Sequence, residues 1–201
     1  MLKIPNLTAN MMVKNGERYL ERVIDSTAPY VEHYLITDTG STDKTLEILD
    51  RMVDKYKHIT LIKEKVAQDS TKWDGQHLNE TLTAIRNKQI RMTQTEWVWQ
   101  IDDDEIYPYN SIQALAKAVS ILDSDNKYKW VKGIMVPIRW MVSDTEYVDP
   151  GPFDRTLRVF PKNSEFRGKF PEEFCYVDDR PITIWDQRCV TINGGFDHYS
   201  M

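Results

Sequence analysis

Trp97-Val98-Trp99-Gln100-Ile101-Asp102-Asp103-Asp104-Glu105 is the stretch whose reading decides the fold. Its first five residues are aromatic or β-branched with one polar break, the composition of a buried strand. The strand runs straight into consecutive carboxylates. Like charges at the end of a buried strand repel one another and resist desolvation. A divalent cation removes both problems, since hard cations take oxygen ligands. In open α/β sheets, ligands bind beyond the carboxyl ends of the strands. A metal site at a strand end is therefore one reading. A solvated acidic turn ahead of a helix is the other, because Asp and Ser favour helix starts.

Working outward, the neighbouring segments alternate between two periods. Residues 9–13 read as a short first strand, followed by a Lys14-Asn15-Gly16 turn. From Glu17 the apolar positions Tyr19, Leu20, Val23, Ile24 and Ala28 recur at helical spacing, and Pro29 ends that helix. Residues 34–37 form a second strand leading into Asp38-Thr39-Gly40-Ser41-Thr42-Asp43, rich in turn and capping side chains. Leu46, Leu49, Met52, Val53 and Tyr56 mark the next helix, and residues 59–62 a third strand. Residues 63–76 are polar and irregular around Trp73, as in a functional loop. A helix over 78–92 precedes Trp97, and another follows from Pro108 and Ser111 through Ile112, Leu115, Val119 and Leu122.

Four strand–helix units in succession predict an α/β fold with a doubly wound sheet, parallel in the N-terminal half. Beyond residues 123–129 the character changes. Strands are expected over 130–140, 156–160 and 189–192 with no long helix between them, and Gly and Pro become frequent. The sheet is therefore mixed. The expectation is one domain over residues 1–201, with a nucleotide-binding half (1–122) and a sheet-completing half (123–201).

The totals exclude several classes. With 201 residues the chain can bury a real core. A net charge of −5 argues against a nucleic-acid backbone as partner, which needs a basic face. Cys175 and Cys189 make no zinc or disulfide framework. The N-terminal stretch has no apolar signal core, and no run approaches membrane-spanning length, so a soluble cytoplasmic protein is expected.

Four segments together resemble the family 2 glycosyltransferases of the GT-A fold: Val13-Lys14-Asn15-Gly16-Glu17-Arg18-Tyr19-Leu20, then Asp38-Thr39-Gly40-Ser41-Thr42-Asp43-Lys44-Thr45, then Ala84-Ile85-Arg86-Asn87, then residues 97–105. Order and spacing match from about residue 8 to 106. The later half is similar more loosely, through LRVFPKNSEFRGKF and the closing DHYS. The resemblance implies that Met12, Val13 and Asp38 hold the nucleoside and that Arg86 lies near the nucleotide. It maps an Asp-x-Asp motif to Asp102-Asp103-Asp104. There Asp102 contacts ribose or metal, and Asp104 binds Mn²⁺ or Mg²⁺ on the diphosphate. Such a metal stabilises charge on the departing oxygen as a Lewis acid.

Relatives often carry a His-Glu pair where this chain has Pro171-Glu172-Glu173. Glu172 or Glu173 is then the general base for the acceptor hydroxyl, with Glu172 favoured by alignment; two solvated acids in a loop are the plain alternative. His198 often completes the metal site in such enzymes, although a lone His is commonly structural. Asp38 and Ser41 can equally organise their turn and cap the helix. Arg155, Arg158 and Lys169 can neutralise phosphate, orient the acceptor or sit at the surface. Trp73, Trp140, Tyr147 and Phe153 offer ring faces to a sugar or to the core.

An Asp-Thr-Gly-Ser of the aspartic-protease kind also reads at Asp38, but no second copy exists and the following residues are helical. A sugar-nucleotide pyrophosphorylase would show a Gly-rich phosphate loop after the first strand, and a P-loop would read GxxxxGK[ST]; neither occurs. The expected activity is metal-dependent transfer of a sugar from a nucleotide-diphosphate donor to a hydroxyl of a glycan or glycoconjugate, with inversion. A UDP-sugar is the expected donor and UDP-glucose the default. The alternative is a non-catalytic metal- or nucleotide-binding module of a larger assembly. The chain is short for the resembled family, which fits either one domain of a multidomain enzyme or a compact version.

Overall fold

The computed structural model describes residues 2–66, 75–141, 143, 146–148, 155–168, 174–183 and 185–199. Elements follow in the order β1 (Leu7–Val13), α1 (Leu20–Thr27), β2 (His33–Asp38), α2 (Thr45–Lys55), β3 (Ile59–Lys63), α3 (Gly75–Met92), β4 (Trp97–Ile101), β5 (Glu105–Ile106) and α4 (Tyr109–Ser124). The second half adds β6 (Gly133–Met141), β7 (Tyr147–Val148), β8 (Arg155–Pro161), β9 (Glu165–Arg167), β10 (Phe174–Val177), β11 (Arg180–Pro181), β12 (Cys189–Thr191) and β13 (Phe196–His198).

Strands β3, β2, β1 and β4 lie side by side and parallel, as the alternating pattern requires. Then β8 runs antiparallel between β4 and β6, and β13 runs parallel to β6. The mixed α/β sheet of a single domain is therefore as expected. A separate antiparallel sheet of β9, β10 and β11 covers part of one face.

Strand residues alternate between two cores. Ala9, Met11, Trp99 and Ile101 face one cluster with Leu20 and Ile24 of α1, Leu49 of α2 and Leu115 of α4. On α1 the buried positions Leu20, Val23, Ile24 and Thr27 form one stripe, so packing rather than propensity holds this short helix. The opposite face joins Ile90 of α3 and Val98, Met135 and Phe160 of the sheet to Cys175, Val177 and Ile182 of the small sheet and its flank.

Three differences from the expected elements have local causes. The first helix is regular from Leu20 rather than Glu17, because residues 17–19 form a turn in which the Tyr19 and Leu20 N–H groups both donate to the Gly16 carbonyl (3.3 and 3.1 Å). The second strand includes Asp38, whose backbone pairs with Val13 and Lys63. Strands β5, β7, β9, β10, β11 and β13 were not expected; each spans four residues or fewer, too short for a period to declare itself.

Candidate active site

The two loops after β1 and β2 are laced together by reciprocal hydrogen bonds. The Asn15 N–H donates to Ser41 Oγ (2.9 Å), and the Thr42 N–H donates to Asn15 Oδ1 (2.8 Å). The Glu17 N–H donates to Asp43 Oδ2 (3.2 Å), and the Lys44 N–H to Glu17 Oε2 (3.0 Å). Much of both motif segments thus fixes the backbone rather than meeting a ligand. Asp38 is buried, and its carboxylate accepts from the N–H groups of Gly40 (3.1 Å) and Ser41 (3.2 Å). This is the turn-organising role, and it leaves Thr39 on the cavity wall instead.

That cavity, about 340 Å³, is lined on one side by Met12, Val13 and Thr39, and on the other by Asp102, Asp103, Asp104 and His198, with Arg86 between. Its position follows from strand register. Met11 pairs with both Ile36 and Ile101, so β1, β2 and β4 end together. The chain then turns into β5, which pairs antiparallel with β13 and sets His198 opposite Glu105. The Tyr199 N–H closes the turn onto the Asp104 carbonyl (3.1 Å). His198 Nε2 consequently lies 3.5 Å from Asp104 Oδ2. Gly195 permits this, since a Cβ there would stand 2.6 Å from the Pro137 carbonyl oxygen.

The acidic turn is electrostatically strained, and one arginine relieves part of it. Arg158 Nη2 donates to Asp102 Oδ2 at 2.9 Å and also meets Glu105 Oε1. Burial opposes the charge on Asp102, but Arg158, then Arg86, hold its carboxyl below the usual range. Burial and the neighbouring Asp104 push Asp103 up to about 7. Burial also raises Asp104, against the pull of His198, and raises Glu105 against that of Arg158. Gly16 sits under this turn; a Cβ there would meet Asp103 Oδ2 at 2.2 Å.

A divalent cation suits these groups. Oxygen donors crowded enough to resist ionisation, beside an imidazole, are what a hard cation relieves. His198 Nδ1 is buried without a hydrogen-bond partner among the described residues, so nothing fixes the tautomer against metal ligation through Nε2. Among the described residues no three His, Cys, Asp or Glu side chains are arranged to hold an ion by themselves. Asp102 is turned to Arg158, which leaves Asp104 and His198 as the protein's donors. Mg²⁺ and Mn²⁺ sites with few protein ligands are completed by water and substrate phosphate oxygens.

Arg86 projects from α3, buried, with its guanidinium 4.9 Å from the Phe166 ring. The adjacent Asn87 pairs both ways with the Phe166 backbone, donating from Nδ2 to the carbonyl (2.8 Å) and accepting from the N–H at Oδ1 (2.7 Å). The segment read for one nucleotide-facing arginine thus also clamps β9. A second cavity of about 380 Å³ opens beyond Arg86, between the main sheet and the small one. Arg158 lines it and is central to the site. In the sequence this residue could neutralise phosphate, orient the acceptor or sit at the surface, and its distance of 53 positions from Glu105 hides the pairing. Trp140 packs edge-on against His198, with ring centroids 4.5 Å apart, and Tyr147 is exposed. Glu172, Glu173, Lys169, Trp73 and Phe153 lie outside the described residues.

With this geometry established, the relatives become informative. No protein-family profile matches the chain. Glycosyltransferase SunS, from Bacillus subtilis (strain 168) and from Bacillus phage SPbeta, is 23% identical over 119 residues, covering 59% of this chain and 25% of SunS. The structure of S. aureus TarS 1-349 superposes with a TM-score of 0.57 at 13% identity, over 96% of this chain and 60% of that one. A longer TarS structure gives a TM-score of 0.50 at 15% identity, over 78% of this chain and 28% of that one. The fold is that of the GT-A glycosyltransferases. The matched region of this GT-A chain corresponds to about a quarter of the length of its curated relatives. Among the described residues no helix is long and apolar enough to cross a membrane.

Proposed function

We propose that this GT-A chain transfers a sugar from a nucleotide-diphosphate donor to a hydroxyl of a glycan or glycoconjugate. One observation carries the reading: Asp104 and His198 meet at the rim of the cavity that Met12, Val13 and Thr39 close from the other side. A nucleoside is accommodated beside β1 and β2, and its diphosphate between Arg86 and Asp104. A Mn²⁺ or Mg²⁺ bound there supplies Lewis-acid stabilisation of the leaving diphosphate.

The chain's own residues do the rest. Arg158 holds Asp102 in place, so the backbone of the acidic turn keeps its shape when charge arrives. Arg86 sets a fixed positive charge against the phosphates. Glu172, or its neighbour Glu173, accepts the acceptor hydroxyl's proton as that oxygen attacks the anomeric carbon, with inversion. A UDP-sugar is the proposed donor class, UDP-glucose the first to try. The homology to a glycosyltransferase supports the reaction class.

The test is release of nucleoside diphosphate from a panel of UDP- and GDP-sugars, with Mn²⁺ or with chelator. Metal-dependent turnover that falls about 100-fold in Asp104→Ala is expected. Equal turnover by wild type and variant, or with chelator, would contradict the assignment.

A further inference from the structure

The surface beside β13 gathers cations that the donor reading does not use. Arg18, in the turn before α1, and Arg22, on α1, are exposed, and Arg139 on β6 keeps 40% of its side chain accessible. Each guanidinium lies against a tyrosine ring. Arg18 is 4.9 Å from the Tyr19 centroid, Arg22 5.5 Å from that of Tyr199, and Arg139 5.9 Å from that of Tyr147. The Tyr19 and Tyr199 rings are themselves 4.8 Å apart. Arg139 is the register partner of Asp197 and pairs with it at 2.7 Å. The result is a stripe of stacked cations and rings that crosses from α1 over β13 to β6 and β7.

A guanidinium covered by a ring on its face keeps its N–H donors at the edge, and the stacking holds it in place before a ligand arrives. Such a group is pre-organised for an oxyanion. Burial raises the Asp197 carboxyl, and Arg139 and Arg22 pull against that rise, so both cations act on one spot. The acids that flank Arg18 and Arg22 in sequence are engaged elsewhere. Glu17 accepts from the Lys44 N–H (3.0 Å), and Glu21 pairs with Arg51 (2.8 Å). In a chain of net charge −5, three arginines beside Asp197 form a local concentration of positive charge.

We propose that this stripe docks the acceptor, and that the acceptor is a glycan bearing oxyanion groups, carboxylate or phosphate. The inference rests on the transfer reading above and names the acceptor class which that reading leaves open. The stripe is placed for an acceptor. Tyr199 directly follows His198, and its N–H donates to the Asp104 carbonyl (3.1 Å), so a glycan held on the arginines passes beside the acidic turn. Tyr147 is 53% exposed and Trp140, next to Arg139, is 38% exposed, which offers rings to the C–H faces of sugars between the charges. A nucleic acid is a poor fit, because it needs a continuous basic face and the acidic turn interrupts this one. A membrane surface calls for apolar side chains that protrude beside the cations. Here Tyr199 is only 8% exposed and supports Arg22 from beneath.

The experiment measures binding of polygalacturonate, phosphomannan, neutral dextran and phosphatidylglycerol vesicles, without metal, to wild type, to the double variant Arg18→Gln/Arg22→Gln and to Arg139→Gln. Wild type should bind at least one of the two anionic glycans and not dextran, and which one it prefers separates carboxylate from phosphate. Binding should weaken as salt rises from about 50 to about 300 mM. It should fall about ten-fold in the double variant and about three-fold in Arg139→Gln. Both variants should keep the wild-type melting shift with UDP or GDP and Mn²⁺, which separates a lost docking surface from a fold defect. Equal binding by wild type and the double variant, or no binding of either anionic glycan, overturns the proposal while the transfer reading stands. Vesicle binding that is lost in the double variant, without glycan binding, overturns it in favour of a membrane contact. If no nucleotide shifts the melting of wild type, the transfer reading falls and the acceptor assignment falls with it.

Discussion

Glu105 is fully buried, and its carboxylate shares the Arg158 guanidinium with Asp102. Removing one partner of such a cluster leaves buried charge uncompensated, which costs about 3–5 kcal/mol. Arg158→Ala is therefore expected to destabilise the fold by about that much in urea unfolding. A loss below about 1 kcal/mol would show that the turn does not depend on this residue. Asp103 makes a pH prediction. Its carboxyl is raised to about 7 in the fold, against the ordinary carboxylate value in the unfolded chain. A folded state that holds its proton more tightly is favoured at low pH, and this contribution is lost as pH rises from about 4 through about 7. In chelator, wild type should thus lose more stability between pH 5.5 and 8 than Asp103→Asn does. Parallel losses would contradict it. At this scale Asp102, Asp103 and Asp104 were legible in the sequence, because a run of acids after a buried strand has few stable explanations. Gln100 was read only as the polar break in a strand, since an unpaired buried amide is visible only once its surroundings are known.

The elements divide by the range of their causes. Strands β1 to β4 and the helices between them follow from local periodicity, and their register brings the strand ends together without further help. The small sheet does not. Strand β9 is held by the two-way pairing of Asn87 with Phe166, a contact across 79 positions that no window on the sequence contains. Asn87→Ala removes both bonds, and a loss of about 1–3 kcal/mol is expected. It should be accompanied by faster amide exchange at residues 165–167 than elsewhere in the sheet. Uniform exchange would mean that the small sheet is held by other contacts. The motif loops carry a related lesson. Asn15, Ser41, Thr42 and Asp43 belong to the segments that carry the resemblance, and in the fold they lace one loop to the other.

At the scale of the molecule, the mixed sheet gathers charges that the linear chain keeps far apart. His198 arrives from the last strand and Arg158 from an antiparallel one, and both close on the turn after β4. The result is two adjoining cavities, one walled by acids and strand ends, the other lying between the main sheet and the small one, with Arg86 common to both. The central claim is that the first holds a nucleotide diphosphate through a divalent metal at Asp104. Thermal melting of wild type and Asp104→Ala with UDP or GDP, with and without Mn²⁺, tests it most directly. Ligand at 100 times its Kd stabilises the native state by about 2.7 kcal/mol, which raises the Tm of a domain this size by roughly 5–10 °C. The account predicts that shift for wild type with one nucleotide only when Mn²⁺ is present, and its loss in Asp104→Ala. No shift with any nucleotide, or the same shift in the variant, would contradict it.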